Sequence, residues 1–212
     1  MVCKGRLARV GSLRLNFIYG RRCGCVLKES RLKARAEGGV KELLEYLGED
    51  VSRPGVVNTP RRFVKAMEEL TRGLREPPPE VVFFPLEYEA EVGPVVIENI
   101  GAVSVCEHHL LPIILRISVA YVPGNGIPGL SKVIKLVKWA AARPIMQERF
   151  TEWIADLLME KLRAKAVYVK VCGVHMCSFI RGAKDEHHSM TTEAKRGEIN
   201  VRLRCKRPLS CR

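Results

Sequence analysis

No stretch of the 212-residue chain approaches the roughly 18 consecutive apolar residues that a membrane-spanning helix requires, so no such helix is expected. The first residues also lack the apolar run of a secretory signal, because Arg6, Arg9 and Arg14 interrupt it. Both absences point to a soluble, cytoplasmic protein with no membrane partner. Aromatic residues are scarce, at 6%, and neither helix-turn-helix nor zinc-finger spacing occurs. A nucleic-acid partner is therefore not expected, although the net charge of +13 taken alone favours a polyanion. The location of that charge resolves the conflict. Acidic residues are nearly missing from the two ends: residues 1–36 hold ten basic residues and one acid, residues 195–212 hold seven and one, and the body between them carries −2.

What is present is apolar residue in quantity, 47% of the chain, enough for one sizeable core or two small ones and too much for a disordered or fibrous protein. Eight cysteines, an even number, invite a disulfide framework, but such frameworks belong to short secreted chains. Here three lie near the N-terminus, three in the middle and two in the tail. The expectation is a reducing compartment with some cysteines given to metal.

Three regions follow from the patterning. Residues 1–36, with no sustained period, read as a flexible basic extension. Residues 37–76 read as a helical segment: Val40, Leu43, Leu44 and Leu47 recur at helical spacing, and a second helix starts at Thr59-Pro60 with Phe63, Met67, Leu70 and Leu74 on one stripe. Residues 77–212 begin at Pro77-Pro78-Pro79 and turn β-like over 81–89 and 95–105, and Ile113, Leu115, Ile117, Val119 and Tyr121 alternate with a period of two. Two amphipathic helices follow, one capped by Ser131 and one running over 146–162, then a strand through Val167, Val169 and Val171 and a last one at 199–204. The fold class is therefore α+β, an antiparallel sheet with two helices packed on one face, preceded by the helical segment and ending in a basic tail.

Chemistry concentrates where histidine meets cysteine. Cys106-Glu107-His108-His109 and His175-Met176-Cys177 offer thiolate and imidazole, the ligand types zinc prefers, and Cys-x-x-His lets one turn of chain bring two ligands to one ion. His175 and Cys177, two apart on an expected strand, share a face. Cys106, His109 and Cys177 make three ligands and an open, catalytic site, leaving His108 and His175 for proton transfer near pH 7; adding Cys172 closes the site and makes it structural. Composition leaves the two readings level. Zn²⁺ and Fe²⁺ both suit such a set.

Whole motifs separate them. Cys106-Glu107-His108-His109-Leu110-Leu111-Pro112, Gly129-Leu130-Ser131-Lys132, Gln147-Glu148-Arg149 and His175-Met176-Cys177 with Arg181-Gly182 resemble, in order and spacing, the signature blocks of the GTP cyclohydrolase I family. Asn58-Thr59-Pro60-Arg61-Arg62 resembles that family's Thr-Pro-x-Arg helix start, and the likeness covers roughly residues 37–192. It implies the tunnelling fold, a homo-oligomer, expected to be a decamer with active sites between subunits, and hydrolytic opening of the GTP imidazole ring at C8 to give formate and 7,8-dihydroneopterin triphosphate for pterin or tetrahydrofolate synthesis.

Carried over by position, the resemblance implies zinc ligation by Cys106, His109 and Cys177, proton transfer by His175 and His108, and assistance of the sugar rearrangement by Ser131. Gln147 and Glu148 fall at substrate-contact positions, Glu148 accepting N–H bonds from the guanine edge. Arg62, Lys65, Lys132, Lys135 and Arg181 are the implied triphosphate cations, Lys135 standing where many relatives have arginine. Cys172 matches no ligand position and reads as a buried strand thiol; His187 and His188 read as a solvated loop. The tail after residue 196 departs from the family pattern. A 7-deazaguanine-modifying enzyme on the same scaffold is the alternative, and a nucleic-acid-binding protein with structural zinc is a more distant one.

Overall fold

The computed structural model describes residues 9–10, 13–14, 24–85 and 92–209. Two-residue strands β1 (Arg9–Val10) and β2 (Leu13–Arg14) pair antiparallel, and the first long element is helix α1 (Gly24–Tyr46). The expected boundary at residue 36 falls inside α1. Charged residues dominate the first half of that helix, so an apolar stripe becomes visible only from Val40 onward. Helix α2 (Thr59–Leu70) starts at Thr59 with Asn58, and not Thr59 as Thr-Pro chemistry suggests, in the capping position, and the Lys33–Glu68 ion pair of 2.9 Å joins it to α1.

The remaining elements are β3 (Phe83–Phe84), β4 (Val95–Cys106), β5 (Pro112–Val122), β6 (Ile127–Pro128), α3 (Leu130–Ala141), β7 (Pro144–Ile145), α4 (Gln147–Lys161), β8 (Ala166–His175), the single turn α5 (Met176–Phe179) and β9 (Met190–Arg196). Five strands form the main sheet in the order β7-β4-β5-β8-β9, antiparallel throughout except for the short parallel pairing of β7 with β4. The α+β class, with two long helices on one face of an antiparallel sheet, is the architecture observed.

Two expected strands differ. Of 81–89, only Phe83–Phe84 is paired, with β6, and 86–91 lie outside the described residues. The last strand is β9, not 199–204. Ser131 also falls inside α3, whose cap is Gly129, so it is not the capping residue.

The alternating residues of β5, Ile113, Leu115, Ile117 and Val119, are fully buried together with Val167, Val169 and Val171 of β8. They meet Val133, Leu136 and Val137 of α3 and Ile154 and Leu158 of α4, all equally buried. Each such side chain contributes about 1.5–3 kcal/mol by leaving water. Arg143, at the break between α3 and α4, lies between the rings of Trp139 and Trp153 at 4.7 and 4.4 Å, and donates to the carbonyls of Ala140 and Gly73. The two tryptophans thus serve packing. On the edge, Arg196 of β9 grips Asp156 and Glu152 of α4 at 2.6 and 2.9 Å.

The opposite sheet face is crossed by the tail. Leu203 is buried against Ala120 and Tyr168, flanked by Ile199 and Val201. Ser118 Oγ donates to the Arg204 carbonyl at 2.6 Å, Glu98 accepts from Arg204 N–H, and Asn99 Oδ1 accepts from Lys206 N–H, each at 2.8 Å. Asn99 sits in the left-handed region at the β4 bulge, a conformation asparagine tolerates better than most residues. Cys172 of β8 is bonded to Cys205, 33 residues on, so it is a disulfide partner and not the free strand thiol expected from the sequence. The apolar alternation at 199–203 serves this crossing strap instead of a sheet strand.

Candidate metal centre and active site

Between β4 and β5 the chain reverses in a tight turn closed by two backbone bonds of 2.8 Å, Leu110 N–H to Cys106 O and Cys106 N–H to Leu111 O. Leu110 takes φ of 55°, an uncommon conformation for a residue with a bulky side chain, costing on the order of 1–2 kcal/mol. The tightness brings buried Cys106 and exposed His109 to one point. Their Sγ and Nδ1 lie 3.8 Å apart.

The third member arrives from β8. The strand ends at His175 and the chain turns at once into α5, so Cys177 belongs to a helical turn and not, as the spacing predicts, to the strand of His175. One ligand atom from each of Cys106, His109 and Cys177 lies within 4.8 Å of the others. The two sulfurs are 4.0 Å apart, and two sulfurs each about 2.3 Å from one tetrahedral ion stand about 3.8 Å apart, so the donor set fits zinc in both chemistry and spacing. Burial pushes the Cys177 thiol up, and the neighbouring Cys106 adds to the effect. Cys172 is excluded from the set by its bond to Cys205.

Beside the cluster, His175 Nε2–H donates to Gln147 Oε1 at 3.0 Å. Gln147, expected at a substrate-contact position, is wholly buried. Its Nε2 has three acceptors around it, the carbonyls of Val171 and Met190 and Thr192 Oγ1, at 3.1–3.2 Å. The amide nitrogen must face them, so the amide oxygen faces His175 and accepts from it. Nδ1 of His175 is thereby left with its lone pair. Burial holds the His175 pKa below the ordinary histidine value, against the pull of Glu148 and with the help of His188. Burial therefore favours the neutral, proton-accepting form of this ring relative to an ordinary histidine.

Room for Gln147 comes from Gly173, where a Cβ would collide with Gln147 Oε1. Sequence reasoning passed over this glycine, although a glycine inside a valine-rich strand is a mark of close approach. Replacing Gln147 by methionine keeps the volume and removes both bonding functions. The expected result is about a 100-fold lower kcat with metal content retained, measured by steady-state kinetics and metal analysis, the lower end of what a positioned acid or base contributes.

Of the other expected site residues, Arg181 reaches the cluster, its Nη1 lying 3.2 Å from His109 Nε2. His108 is exposed beside Cys106, with its Nε2 3.8 Å from Glu107, which also faces Arg149. Glu148 is exposed at the first turn of α4, close enough to His175 to act on its charge. Ser131 and Lys135 are exposed and Lys132 half-buried at the start of α3. Arg62 and Lys65 are exposed on α2. Among the described residues, no hydrogen bond or ion pair ties these α2 and α3 residues to the cluster.

The arrangement defines an α+β protein with a cysteine–histidine cluster able to hold a metal ion, next to a buried histidine tied to a buried glutamine. The family model described as GTP cyclohydrolase I matches residues 36–209, and this chain belongs to that family of hydrolases. It is 81% identical over 187 residues to the GTP cyclohydrolase 1 of Pyrobaculum aerophilum, covering 88% of this chain and all of the relative. The Pyrobaculum neutrophilum protein of the same name is 78% identical over 87% of this chain and 98% of its own length. That of Saccharolobus islandicus strain L.S.2.15 is 40% identical over 81% and 86%. Among solved structures, the apo archaeosine synthase QueF-Like aligns with 52% of this chain and 100% of its own at a TM-score of 0.41 and 16% identity, too distant to carry an argument. No helix among the described residues is long and apolar enough to cross a membrane.

Proposed function

We propose that the protein is a zinc-dependent GTP cyclohydrolase I that opens the imidazole ring of GTP at C8, releases C8 as formate, and closes the rearranged product to 7,8-dihydroneopterin triphosphate. The observation that carries this reading is the gathering of Cys106, His109 and Cys177 beside His175 in a chain of this family. Zinc held by three protein ligands supplies activation of water near neutral pH and keeps a position open for substrate.

The chain's own residues do the rest. His175, held by Gln147 with Nδ1 unprotonated, accepts a proton at that atom and returns it to the purine nitrogen as the ring opens. His108, exposed at the rim, serves the ribose oxygen, with Ser131 assisting the sugar rearrangement. Glu148 accepts the guanine N–H groups, a contact adenine does not offer in the same form. Arg181, Lys132 and Lys135 take the triphosphate. Arg62 and Lys65, remote from the cluster by bonding within one chain, complete the set from a neighbouring subunit, which accords with a decamer whose sites lie between copies. The cations act by local convergence, because the body of the chain carries a net −2.

Metal-loaded protein incubated with GTP is expected to release one formate per product and to give a pterin that fluoresces after oxidation. Folded, zinc-containing protein that yields neither product refutes the reading.

A further inference from the structure

Cys177 must be held within a few tenths of an ångström to share an ion with Cys106 and His109, yet it stands on a helix of four residues, too short to be stable alone. What holds that turn lies downstream. After Ile180 N–H bonds back to Met176 O, the chain reverses through Gly182 and Lys184, both at positive φ, and returns to Ser178 twice. Asp185 N–H donates to the Ser178 carbonyl at 3.3 Å, and His188 Nε2 lies 2.7 Å from Ser178 Oγ. The other ring nitrogen of His188, Nδ1, makes a short bond to the Asp185 carbonyl.

A carbonyl only accepts, so Nδ1 carries the proton, and in the neutral ring Nε2 accepts from the Ser178 hydroxyl at 2.7 Å, the nearer of that hydroxyl's two acceptors, the other being the His175 carbonyl at 3.3 Å. The Asp185 carboxylate is engaged elsewhere, Oδ1 accepting from His187 N–H at 2.8 Å. His188, half-buried and not in the solvated position expected from the sequence, therefore fastens the segment 178–188 on itself at the residue immediately after the ligand Cys177. The same segment carries Arg181, whose guanidinium touches His109.

We propose that Ser178 and His188 form a brace that positions the Cys177 turn in the metal centre. Both are positioning residues: neither is a ligand, and both act through the backbone on either side of Cys177. The proposal rests on the metal-centre reading above. It assigns His188 a function no catalytic step requires, and it predicts that the two side chains are worth little separately.

The test is zinc affinity of the purified apo protein by competition with a chromophoric chelator, with no GTP present. Ser178→Ala and His188→Ala are each expected to weaken zinc binding about tenfold, the low end for groups that orient a ligand. The double variant should be no weaker than either single one. His188→Gln, whose side-chain oxygen can accept the serine proton, should regain most of the affinity, and the apo melting temperature should be the same in all four. Unchanged affinity in the single variants, additive losses in the double, or a fall in apo melting temperature that tracks the affinity loss overturns the brace. A wild-type protein that binds no zinc fails the metal-centre reading itself, a different outcome from variants that match a zinc-binding wild type.

Discussion

Cys177→Ser protein is expected to fold, to retain no zinc after dialysis, and to lose about 10³-fold or more in kcat, the equivalent of about 4 kcal/mol of barrier lowering. Serine is nearly the same size, so α5 is not displaced, but its hydroxyl stays protonated at neutral pH where a thiol near a metal ionises. Two ligands, Cys106 and His109, then remain from a single turn of chain, and a site of two seldom holds zinc against a chelator. Cys172→Ser is the control that gives this result meaning. Cys172 lies three residues before His175 on β8, opposite Thr191 of β9, and is bonded to Cys205 on the face that the tail crosses. Its loss should leave the metal in place. Metal analysis of both variants beside formate release decides the matter, and equal zinc loss in the two would mean a closed four-ligand structural site.

Breaking the Cys172–Cys205 bond is expected to be the largest single loss of stability available outside the core. Closing a loop of this length, 33 residues of separation, restricts the unfolded chain by about 3–4 kcal/mol in the entropy account. In a chain of this size that corresponds to a fall in melting temperature of roughly 6–15 °C. Cys205→Ser, or wild type under a dithiol reductant, should show it in a calorimetric scan, while zinc content stays the same. A melting temperature unmoved by either treatment would show that Leu203 and the hydrogen bonds from Ser118, Glu98 and Asn99 hold the tail unaided.

The contrast between these two cysteines shows where the sequence was legible. The gathering of Cys106, His109 and Cys177 could be anticipated because each sits in a short motif, and β4, β5, α3, α4 and β8 could be placed because their buried faces repeat at two or near four residues. β9 escaped because an edge strand reading Met-Thr-Thr-Glu-Ala-Lys-Arg buries little. The alternating stretch after it, with Ile199, Val201 and Leu203, took its place because burial under a strap leaves the same apolar alternation as burial in a sheet. A cysteine pairing 33 residues apart leaves no local trace at all. The surroundings of Gln147 and His188 were not legible, because their partners come from β8, β9 and Ser178, which only the folded chain brings near.

The strap over the sheet also sets an order of events during synthesis. Ala120 and Tyr168 on the uncovered face are sealed by Leu203, and Ser118 finds its acceptor in Arg204. Every strand of the sheet leaves the ribosome before those residues do. Until residues 199–206 emerge, a nascent chain can build the helix-covered side of its core but not the other, and it shows Ala120 and Tyr168 to its surroundings. Residues 199–206 are what turns a one-sided sheet into a two-sided one.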